Sequence, residues 1–140
     1  MGVQAMNARS SAEDMIPEAP SGPAPLVCEK TFAGFCQSSN DANEAVLLRL
    51  VEGDMRLLRI ASARARRDCA AVAQEANALA RTADALGLFQ ASGLARQLEG
   101  ACLSGDRAVT YGLIGRLSEV FQVSGIAVEA LLRRGSTPAP

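Results

Sequence analysis

Between Asp68 and Gly87 the residues Cys69, Val72, Ala76, Leu79, Ala83 and Leu86 recur at alternating steps of three and four. That spacing lines them up on one side of an amphipathic helix. Asp68 is placed to cap its start, and Gly87 stands where a helix end wants a residue tolerant of positive φ. A flanking line of Ala73, Asn77, Ala80 or Arg81, and Asp84 is expected to be the more exposed one.

Upstream, Ala42 to Ala65 reads as a first long helix with an inner stripe of Leu47, Val51, Met55 or Asp54, Leu58 and Ala61. Arg49, Glu52, Arg56 and Arg59 are expected outside, with Glu52 and Arg56 forming a favourable i,i+4 pair. Asp41 followed by Glu44 is a capping-box pattern. Leu88-Phe89-Gln90 is a tight connection to a third helix, Ala91 to Leu103, with Leu94, Leu98, Ala101 and Cys102 inside. Ser104-Gly105-Asp106 is the next turn. A fourth long helix, roughly Arg107 to Arg133, carries Val109, Leu113, Leu117, Val120, Ser124, Val128 and Leu131 in register, with Ser124-Gly125 as the expected kink. Before these, Leu26 to Gln37 has Val27 or Cys28, Phe32, and Phe35 or Cys36 at helical spacing, enough for one or two turns that cap the bundle. Four long helices with short connections predict an all-α fold, an antiparallel up-down four-helix bundle with a short additional N-terminal capping helix.

Domain organisation follows from the ends of this pattern. Residues 1–24 hold Pro17, Pro20 and Pro23 with little apolar periodicity, and are expected to form a disordered Pro-rich tail. Residues 25–134 form the bundle and 135–140 a frayed C-terminal tail. Apolar residues make up 49% of the chain but aromatics only 4%, so the core draws on Ala, Leu and Val, which suits close-packed helices.

A net charge of −1 supplies no general attraction for nucleic acid or an anionic membrane. The basic run Arg64, Arg66 and Arg67 complements the dipole at a helix C-terminus and lacks interleaved aromatics. No apolar run is long enough to span a bilayer and no signal peptide is visible, so the expected location is the cytoplasm. Cys28, Cys36, Cys69 and Cys102 contain no CxxC pair, and the chain has no histidine. No metal or cofactor is therefore expected. Cys69 and Cys102 fall on the core stripes.

The missing histidine also removes the usual general base near neutral pH. Glu75, Asp84, Glu99, Asp106, Glu119 and Glu129 are spread over helix surfaces, without a local acid–base pair. There is no phosphate-binding glycine loop and no nucleophile elbow. An enzyme is not expected.

At the central helix the sequence resembles the histidine-containing phosphotransfer (HPt) domains of two-component phosphorelays. Their hallmark reads His, any, Leu, Lys, Gly, Ser or Thr, Ala, with Leu-Gly shortly after. Here the frame is Asn77-Ala78-Leu79-Ala80-Arg81-Thr82-Ala83, then Leu86-Gly87. Leu94, Gln97-Leu98-Glu99, Ala101 and Gly105-Asp106 resemble the family's next helix and its turn. The resemblance runs from about residue 25 to 134, and implies a four-helix bundle with an extra N-terminal helix.

The packing positions fit and three functional positions do not. Asn77 stands at the position of the phosphorylated histidine, Ala80 at the lysine, and Arg81 at the glycine that lets a partner approach. The resemblance thus implies a degenerate member, a pseudo-phosphotransferase without catalytic residues. Its expected partners are response-regulator receiver domains, docking on the first two long helices around Asn77, or a histidine kinase. The expected contact residues are Asn77, Ala73, Ala80, Arg81 and Asp84, with Arg56 and Arg59 nearby. The competing reading is a helical interaction module that binds a kinase or an unrelated protein partly through its N-terminal tail. A monomer is expected.

Overall fold

A computed structural model of the chain describes residues 25–135, so the expected tails at 1–24 and 136–140 lie outside the described residues. The described chain is all-helical: α1 (Glu29–Gln37), α2 (Ala42–Ala65), α3 (Cys69–Ala85), α4 (Phe89–Ser104) and α5 (Arg107–Gly135). The links between the four long helices are only two or three residues long, which turns each helix back along the one before it. α3 packs between α2 and α4, α4 also packs against α5, and α1 lies across α2 and α3. None of these helices is long and apolar enough to cross a membrane.

Local chemistry sets the boundaries. The Asp41 carboxylate accepts from the Glu44 amide at 3.1 Å, and Asp68 accepts from the Ala71 amide at 3.0 Å. Each satisfies one of the amides that a helix start leaves without a partner. α3 ends because Gly87 takes φ +80°. There the Gly87 carbonyl accepts from the Cys28 amide at 2.8 Å, tying the approach to α1 onto the turn between α3 and α4. A Cβ on Gly87 would stand 2.7 Å from the Cys28 carbonyl oxygen, so the close approach itself requires glycine.

Ile60, Leu79, Leu86, Leu88, Leu98, Leu117, Phe121 and Val128 are buried at the centre, each large side chain contributing about 1.5–3 kcal/mol. Leu94, Leu98, Ala101 and Cys102 are all buried, as the spacing in α4 predicts. α5 runs unbroken through Ser124-Gly125, with Leu113, Leu117, Ser124 and Val128 inside and Val109 exposed in its first turn. Phe32 is the buried anchor of α1.

Three expectations are corrected. The inner face of α2 is Val46, Leu50, Gly53, Ile60 and Ala63, whereas Leu47, Val51, Met55, Leu58 and Ala61 are exposed. Both faces of α2 are apolar, so period alone does not choose between them. Packing chooses through Gly53, where the Phe121 ring of α5 lies so close that a Cβ would stand 2.1 Å from its Cζ. Second, Ala73 and Ala80 are buried, not exposed. α3 has neighbours on two sides, so Ala73 and Ala80 are covered, while Asn77 and Asp84 stay partly open beside α4 and Arg81, the alternative to Ala80 on that line, is exposed. Third, Cys69 is exposed, because the first residue of α3 lies at the end of the bundle where the stripe runs out of neighbours.

Candidate functional site

α3 carries a polar seam along each flank. On the α4 side, Asn77 is half-buried and both ends of its amide are occupied. Its Oδ1 accepts from the Arg81 guanidinium one turn on, and its Nδ2 donates to Glu99 Oε1 of α4 at 3.4 Å. One further turn along, Asp84 accepts from Arg96 Nη2 at 2.5 Å and from Nη1 at 3.5 Å. Burial raises the Asp84 pKa, but hydrogen bonds from Arg96 and Ser92 and the charge of Arg96 outweigh it, holding the carboxyl below its ordinary value.

On the α2 side, Arg56 Nη1 donates to Glu75 at 2.9 Å, while Glu52 stands 3.9 Å from Nη2. The buried Thr82 hydroxyl lies 3.1 Å from Glu52 Oε2 and 3.2 Å from the Ala78 carbonyl, and its single proton serves one of them at a time. Arg56 is thus committed within the chain, not free to reach a partner. Arg59 is exposed beside Ser62, Arg66, Ala71 and Glu75 on this same seam.

Of the expected contact residues, the structure brings Asn77, Arg81 and Asp84 together on one face. Glu75 and Asn77, two residues apart on a helix, point about 160° from each other, so Arg56 and Arg59 belong to the opposite flank. Ala73 and Ala80 form the floor between α3 and α4. The face also includes two residues that α3 alone could not reveal, Glu99 and Arg96 of α4. Their only sequence signal is the i,i+3 spacing that puts both on one side of α4. Among the described residues, no group of three or more His, Cys, Asp or Glu is arranged to hold a metal ion.

No family model and no curated protein matches the sequence. Among solved structures, the bundle superposes on histidine-containing phosphotransfer protein B (HptB) from Pseudomonas aeruginosa PAO1, with a TM-score of 0.74 and 18% identity. The fold is that of an HPt protein. The match covers 80% of this chain and 98% of HptB, so almost the whole of that protein has a counterpart here. What lies outside the match is a fifth of this chain, comparable in size to the residues flanking 25–135. The chain that takes this fold contains no histidine.

Proposed function

We propose that this protein is a non-catalytic HPt-like module of a cytoplasmic two-component phosphorelay. It binds receiver domains of response regulators and modulates them without carrying phosphate. One observation carries the reading: an HPt bundle matched over nearly the full length of HptB, in a chain with no histidine. Phosphoryl transfer through such a bundle needs a nucleophile with an available lone pair near neutral pH. Asn77 takes the place of that group in the sequence frame. Its amide nitrogen has its lone pair delocalised into the carbonyl and donates one hydrogen to Glu99. The carbonyl oxygen is held by Arg81.

What this face offers instead is contact. Arg81 is exposed and projects its guanidinium beside Asn77, where a planar fork can pair with the carboxylates of an acidic receiver pocket. Asp84, neutralised by Arg96, completes the polar rim. Docking here withholds the receiver from phosphate donors, or holds it in one state.

Two measurements test this. Incubated with a phosphorylated receiver, the protein acquires no acid-labile label; a labelled band refutes the non-catalytic reading. In a binding titration with receivers of the same host, Arg81→Glu weakens affinity at least about tenfold, the loss of one charge-assisted contact plus repulsion. Unchanged affinity removes Arg81 from the interface, and absence of binding by the unmodified protein removes the receiver as partner.

A further inference from the structure

The outer face of α2 has no role inside the chain. Leu47, Leu48, Val51, Met55 and Leu58 are each between 45 and 67% exposed. One exposed leucine needs no explanation, but five large apolar side chains on one helix face mark an interaction surface. Their spacing is regular. Leu48, Val51, Met55, Leu58 and Ser62 advance by three, four, three and four, the a and d seam of a two-stranded coiled coil. Gly53 and Ile60 fall at the opposite f positions, and both are buried in the bundle. α2 therefore serves its own core with one side and presents a two-heptad apolar seam, Leu48 to Leu58, with the other. On the α5 flank, exposed Ile126 lines a shallow hollow with Leu50 and Asp54, widening the apolar surface.

We propose that this seam pairs with the same seam of a second copy of the chain, the two α2 helices running antiparallel about a two-fold axis between Val51 and Met55. In that arrangement Leu48 meets Leu58 of the second copy, and Val51 meets its Met55. The ends complement each other in charge. Asp41 and Glu44 stand at the start of the seam, and Arg59 and Arg66 flank its end. Antiparallel pairing sets acid against base at both ends, whereas parallel pairing sets like against like. Arg59 makes no ion pair among the described residues, which leaves its charge available for this. Asp54 opposes the pairing, because the two-fold brings it toward its own equivalent; Glu52 lies equally near the axis, but Arg49 and Arg56 offset its charge. The face holding Asn77 and Arg81 remains open in the dimer, since it lies on the α4 flank of α3. The proposal does not depend on the receiver reading.

Sedimentation equilibrium on the full chain tests it. The expected result is a concentration-dependent dimer. Val51→Glu with Met55→Glu weakens it at least about a hundredfold, as for central anchors of an interface. Because both positions are exposed, the helical circular dichroism of that variant stays unchanged. Asp54→Asn tightens the dimer about twofold to fivefold, the size of a surface charge interaction. A monomer up to the solubility limit overturns the proposal, and so does a dimer indifferent to the double variant. Loss of receiver binding by that variant, with a monomeric parent, assigns the seam to the receiver instead.

Discussion

Glycine in the middle of a 24-residue helix usually weakens it, and replacement by alanine gains about 1 kcal/mol in helix propensity. Gly53→Ala is expected to do the reverse. Its Cβ would stand 2.1 Å from Phe121 Cζ and 2.7 and 2.8 Å from the ring's two ε carbons, well inside van der Waals contact. Phe121 is 2% exposed and planar, so it cannot turn aside without opening the core around Leu117 and Val128. Relief must come from a shift of α2 against α5, and overpacking of this kind costs about 1–3 kcal/mol, occasionally more. With the propensity gain set against the larger end of that range, Gly53→Ala destabilises by about 1–2 kcal/mol. In urea, with a slope of about 2 kcal/mol/M, the unfolding midpoint falls by about 0.5–1 M. The decisive measurement is a double-mutant cycle. In a Phe121→Ala background the ring is gone, and the same alanine becomes neutral or stabilising by up to about 1 kcal/mol. If Gly53→Ala stabilises the parent protein, the Gly53–Phe121 contact does not select the inner face of α2.

Gly87→Ala combines a positive φ with a clash against the Cys28 carbonyl, and is expected to cost at least about 1 kcal/mol. Its signature is early loosening of α1, read by hydrogen exchange, while α3 and α4 stay protected. Asp84 has a folded pKa below its unfolded one, so its contribution is present above the unfolded value of about 3.9 and is lost as pH falls through the lower folded value. Asp84→Asn should remove that part of the acid dependence in pH-dependent urea melts. An unchanged acid limb counts against the Asp84–Arg96 pair as its source.

Much of the architecture was legible because it is encoded locally. The Asp41 and Asp68 caps, the glycine at 87 and the bounds of α2 depend on residues within a turn of each other. The face of α2 was not legible. Leu47, Val51, Met55 and Leu58 form as good a stripe as Val46, Leu50, Leu57 and Ile60, and the choice rests on Phe121, far along the chain. The burial of Ala73 and Ala80 is hidden for a related reason: a helix with two neighbours has two covered flanks, and a single stripe shows one. For the candidate site, the sequence names Asn77, Ala73, Ala80, Arg81, Asp84, Arg56 and Arg59, of which the fold gathers Asn77, Arg81 and Asp84 on one face and carries Arg56 and Arg59 to the opposite flank. The sequence could not supply Glu99 and Arg96, which reach the face only because α4 folds back beside α3.

The bond from the Cys28 amide to the Gly87 carbonyl makes the seat of α1 conditional on a distant turn. That amide finds its acceptor only while the chain reverses direction at Gly87, so opening the link between α3 and α4 releases the approach to α1 as well. One proton, followed by exchange into heavy water, can therefore report whether the hairpin's turn is closed.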